Sequence, residues 1–146
     1  MYIQAQLSCE LQQYLEYYTK YVLKNNNPKI NRGYIIKKAL EQIEEFAVNK
    51  NIDIIQLDWE EIFNDDIEEI IKIIDTNNIK KMNSTINLKA DVNEKLEELQ
   101  REFLKIFEVK RYYKSSVIRL ILKAAILLNE NKTLPIIINY RLKGKT

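Results

Sequence analysis

Two short runs in this chain alternate polar and apolar residues, Ile3-Gln4-Ala5-Gln6-Leu7-Ser8 and Thr85-Ile86-Asn87-Leu88-Lys89. Their polar members, Gln4, Gln6 and Ser8 in the first and Thr85, Asn87 and Lys89 in the second, carry amides, hydroxyls and one ammonium. Such groups donate and accept hydrogen bonds but are not proton shuttles near neutral pH, so the chemistry on offer is recognition. Catalysis has little to build on. There is no histidine, a single cysteine (Cys9) and no Gly-rich phosphate loop, which removes His-based acid–base and metal sites. The acid pairs Asp65-Asp66 and Glu68-Glu69 fall on the solvated face of a helical pattern, where charge needs no catalytic explanation. The chain is therefore expected not to be an enzyme and to need no cofactor or metal.

Each run must be positioned by what surrounds it. A period of two marks a strand with one buried face. Strands this short leave backbone groups unpaired, so each is the natural partner of the other. After the first, Leu11, Tyr14, Leu15, Tyr18 and Val22 form a helical stripe over residues 9–24, with Ser8 as its N-cap and Asn25-Asn26-Asn27-Pro28 as its end. A second helix is predicted from Asn31, burying Ile35, Ile36, Ala39, Leu40, Ile43 and Phe46. The order recurs from residue 84, where Asp91 and Glu94 read as a capping box. Val92, Leu96, Leu99, Phe103 and Ile106 form the next stripe, a turn spans residues 109–114, and a further helix opens at Ser115. Leu7 falls on Leu88 at an offset of 81, and Ile35-Ile36 falls on Val117-Ile118 at 82. The chain reads as an internal duplication.

Four segments follow: unit 1 over residues 1–48, an acidic connector over 49–82, unit 2 over 83–131 and an extended basic tail over 132–146, all in one domain. In the connector, Ile52 to Leu57 reads as a short strand. Asp58 and Glu61 read as a capping box, and Trp59, Ile62, Phe63, Ile67, Ile70, Ile71 and Ile74 as one amphipathic helix. The tail segment Leu134 to Leu142 either pairs with Ile52 to Leu57 or reaches a neighbouring chain. Between Asp53 and Asn78 nine acids face one base, a net −8 against +10 for the remainder. A polyanion is repelled by the middle of the chain and attracted by its flanks. No apolar run approaches the length of a membrane span and no signal peptide is legible, so a cytoplasmic protein is expected.

Strand, helix, turn, helix with one polar strand face resembles the ribbon-helix-helix superfamily of DNA-binding regulators, the Arc and MetJ type. TINLKADVNEKLEEL resembles its strand and first helix, and NRGYIIKKAL and KSSVIRLILKAA resemble its second helix. The likeness covers roughly residues 2–47 and 84–129, and the tandem form resembles regulators of filamentous archaeal viruses. It implies a mainly α fold with a short antiparallel β-ribbon, two units on one chain forming a pseudo-dimer. It also implies a transcription regulator, a repressor by occlusion, whose ribbon enters the DNA major groove. Gln4, Gln6, Ser8, Thr85, Asn87 and Lys89 would then meet base edges. Gln and Asn suit adenine and Lys suits guanine, so the set leans to A·T-rich operators.

Asn31, Arg32 and Gly33, and Lys114, Ser115 and Ser116, would offer two helix N-termini to phosphates. The expected partners are double-stranded DNA and further copies of the chain side by side along it, with no membrane and no small-molecule substrate. A partition, copy-control or antitoxin protein is the alternative within the DNA-binding class. A helical protein-interaction module that ignores DNA is the alternative outside it.

Overall fold

The most buried element is the helix at the centre. In α6, Lys114–Asn131, every residue from Val117 to Leu128 is buried except Arg119. A helix apolar on nearly all sides can only be satisfied by neighbours on nearly all sides. The computed structural model describes residues 2–7, 9–27, 30–75 and 82–137, and of strand residues 2–7 and 82–85 the backbone only.

Around α6 pack α1 (Cys9–Tyr17), α2 (Arg32–Asn49), α3 (Trp59–Asn64) and α5 (Ala90–Ile106), and it also touches β1 (Tyr2–Leu7). Strand β1 runs antiparallel to β2 (Met82–Asn87), with Tyr2 opposite Asn87, Gln4 opposite Thr85 and Leu7 opposite Met82. The core joins Ile36, Leu40 and Ile43 of α2, Leu96 and Phe103 of α5, and Ile118, Ile121 and Leu122 of α6. Burying each such aliphatic side chain stabilises by about 1.5–3 kcal/mol relative to exposure.

The expected fold class is corrected here. The chain is mainly helical, and two ribbon-helix-helix units flanking a connector are not what the structure shows. The strand pair is short, and burial is described only at Ile86 and Asn87 within it, so a ribbon displaying two sets of reading side chains is not established. The helix pairs also differ. The first helix stops at Tyr17 and continues as a π-helical turn, Tyr18–Val22, whereas α5 runs for 17 residues. Thr19 explains the change of winding. Its buried hydroxyl donates to Leu15 O at 2.7 Å, competing with the backbone ladder, and Leu23 N then reaches Tyr18 O across five residues.

The connector is core rather than spacer. Trp59, Ile62, Ile67, Ile71 and Ile74 are all buried in the common cluster, and Gln13 Nε2 donates to Ile71 O and Ile74 O, both at 3.2 Å. The single amphipathic helix expected there is two short ones, α3 and α4 (Glu68–Ile71). Asp65-Asp66 interrupts it, and Phe63 stays 47% exposed. The strand expected over residues 52–57 is a 3₁₀ turn, Ile54–Gln56, capped by Asp53. Only Leu57 forms a bridge to Ile136, flanked by Asp58 N to Pro135 O at 2.9 Å and Ile137 N to Gln56 O at 3.0 Å. The tail thus meets the connector as an isolated bridge, and residues 138–146 of the expected extended segment lie outside the described residues.

Asp58 caps α3 as expected, accepting from Glu61 N, while its own amide donates to Pro135 O. The cap of α5 differs from expectation. Helix α5 begins one residue before Asp91, with Lys89 at the N-cap and no side-chain cap. Ser8 and Pro28, expected to begin and end the first helix, lie outside the described residues. No helix among the described residues is long and apolar enough to cross a membrane.

Candidate nucleic-acid interface

At the end of β2 the alternation anticipated from sequence holds where it is described. Ile86 and Leu88 are 1% exposed while Asn87 and Lys89 face solvent. The N-terminus of α2 closes directly on this end. Asn31 Oδ1 accepts from Gly33 N at 2.7 Å, the neutral Asn cap that satisfies one of the helix's open donors. Gly33 is buried, and a Cβ placed on it would stand 1.9 Å from Asn87 O. Only glycine lets the helix reach the strand backbone. The result is a shallow groove of about 160 Å³, lined among others by Asn31, Tyr34, Lys37, Asn87 and Lys89. Two amides and two ammonium groups surround the positive end of an 18-residue helix.

The corresponding end of α6 is built differently. Its N-cap, Tyr113, supplies no side-chain hydrogen bond; Ser116 N already donates to Tyr113 O at 3.0 Å, so the amides of Lys114 and Ser115 are the ones left to solvent or a ligand. Lys114 turns back onto α5, where Nζ donates to Asn93 Oδ1 at 2.6 Å and to Glu97 Oε1 at 3.3 Å. Asn93 also donates to Glu97 at 2.8 Å. The Asn93 amide first, and then the Lys114 ammonium, hold the Glu97 carboxyl below the usual glutamate value. Ser115 and Ser116 are half-buried. Beside them a cleft of about 420 Å³ opens between α5 and the turn, with Arg101, Lys110, Arg111 and Lys114 on its walls. Arg101, Lys110 and Arg111 are solvent-exposed, and Tyr113 is 64% exposed.

Of the residues expected to face DNA, the structure brings Asn31, Gly33, Asn87 and Lys89 together. It gives Gly33 an internal reason to be glycine, and it engages Lys114 within the protein. Arg32 is partly buried and already interacts within the molecule. The side chains of Gln4, Gln6, Ser8 and Thr85 lie outside the described residues. Sequence reasoning missed Lys37 in the groove, and Arg101, Lys110 and Arg111 in the cleft. The clustering of bases at 110, 111 and 114 around the turn was the signal for the latter group.

The acids sit elsewhere. Glu60, Glu61, Asp65, Asp66, Glu68 and Glu69 are all exposed on the connector. No protein-family model, curated protein or solved structure matches this chain.

Proposed function

We propose that this chain binds double-stranded DNA and regulates transcription by occluding its site. The end of β2 and the N-termini of α2 and α6 would form the contact face. The observation that carries the reading is the junction at Gly33, which sets exposed Asn87 and Lys89 beside the capped N-terminus of α2. Asn87 has the donor–acceptor pair that matches adenine in the major groove, and Lys89 can reach guanine O6 or N7. The helix dipole and the cations of the cleft suit flanking phosphates. The connector's acids would be held off the duplex by repulsion.

A selection from random duplexes followed by a mobility-shift titration tests this. The expected result is an enriched A·T-rich site, bound more weakly as salt rises. Asn87→Ala should flatten the base preference without changing the salt dependence. Absence of any shifted complex in dilute buffer would leave the helical protein-interaction alternative in place.

A further inference from the structure

The proposed DNA contact leaves two cations of α6, Arg119 and Lys123, unused. Ser116, Arg119 and Lys123 lie at i, i+3 and i+7 along α6, one stripe on a helix otherwise buried in apolar surroundings. Lys123 is only 8% exposed. Its Nζ donates to a neutral acceptor, Phe63 O, at 2.7 Å. Among the described residues no carboxylate approaches that ammonium within 4.0 Å. A buried ammonium with no carboxylate in contact is costly, and an anion beside it would offset the cost.

A cavity of about 290 Å³ stands in front of it, with Tyr14, Tyr112, Ser116 and Arg119 among its walls. Arg119 reaches only half-exposed Glu10, Nε to Oε1, at a loose 3.7 Å. The cavity wall itself carries two cations and one carboxylate, and Asp65, Glu10 and Asp66 all act on Lys123 from beyond contact. The surplus suits a single negative charge better than a double one. Its size lies at the lower edge of ordinary ligand pockets, about 300–1,000 Å³.

We infer that this cavity binds a small aromatic carboxylate, its carboxyl group between Arg119 and Lys123 and its ring against Tyr14 and Tyr112. Ser116 is placed to donate to the carboxylate from the first turn of α6. The inference rests on other observations than the DNA proposal, the buried Lys123 and the cavity before it, although Tyr112 lines both the cavity and the basic cleft and Ser116 stands at the α6 N-terminus.

Benzoate, benzamide and benzylamine share a ring and differ in charge, so titrating each into the full chain by NMR or calorimetry is the test. Benzoate is expected to bind saturably and to raise the melting temperature. Benzamide and benzylamine should bind at least about tenfold more weakly, the loss that accompanies one charge-assisted hydrogen bond. Arg119→Gln and Lys123→Met should each weaken benzoate by a similar factor. Arg119 is partly exposed, so its variant retains the fold and carries the test even where Lys123→Met does not. Benzoate binding no tighter than benzamide, or an Arg119→Gln protein with wild-type benzoate affinity, would overturn the proposal.

Discussion

The N-termini of α2 and α6 occupy equivalent places in the sequence duplication and are finished in opposite ways. At α2 a neutral side chain caps the helix and a glycine presses it against the strand, so the end is closed and rigid. At α6 no side chain caps the helix, and its first lysine is drawn back to α5. Under the proposed function, the closed end would fix geometry for base reading, and the open end would keep two amides and the loop cations available for phosphates. Similar sequence patterns have thus been finished differently by two residues, Gly33 and Tyr113.

The largest effect should come from the closed end. Gly33→Ala puts a methyl group against a backbone carbonyl that cannot rotate away, and a loss of about 3 kcal/mol in a denaturant melt is expected. Ser115→Ala at the open end should stay within about 0.5 kcal/mol of the parent. Comparable losses at both would erase the distinction between the ends.

The next prediction concerns the open end's cations. Lys110→Ala together with Arg111→Ala should lower the slope of log affinity against log salt by about two. Lys114→Met should change it by less than one, because its ammonium is already engaged by Asn93 and Glu97. Equal effects per charge would mean that Lys114 swings free on the duplex.

A smaller effect is expected from the caps themselves. Asn31→Ala should cost about 1 kcal/mol. Tyr113→Asn should do the reverse at α6, stabilising the chain by about 1 kcal/mol while weakening DNA binding, since the new cap would occupy an amide that the proposed function assigns to phosphate.

Smallest is a pH effect. The Glu97 carboxyl is held below its ordinary value in the folded chain, so its contribution is complete above the unfolded-state glutamate value. It is lost as pH falls through the lower folded-state value. Melting curves of Glu97→Gln and the parent should differ near neutrality and converge in acid.

Much of this molecule is legible in the chain itself. Apolar spacing locates α2, α5 and α6 to within a residue or two, since long stripes of Ile and Leu leave no other period. Asn31 reads as a cap, and Ile86 and Leu88 read as the inward face of a strand. What misleads is the assumption that a repeated pattern folds as repeated units. Thr19 bonding back to Leu15 rewinds the first helix, and Asp65-Asp66 breaks the connector helix in a place its apolar stripe does not register. Lys114 shows the same limit at a site. Its position in sequence suits a phosphate, and only the fold brings Asn93 and Glu97 within its reach. Ser116, Arg119 and Lys123 share a helix face by spacing, but nothing in the sequence marks that stripe out, and the burial of Lys123 follows from the connector closing over α6.

The claim at the centre of this account is that one face, made by the end of β2 and the two helix N-termini, meets the duplex. Amide chemical-shift mapping during titration with a selected duplex measures that face residue by residue. The account predicts perturbations concentrated at residues 31–37, 87–89 and 110–116, with the acidic residues 58–69 unmoved. Shifts centred on the connector, or none at any salt concentration, would contradict it.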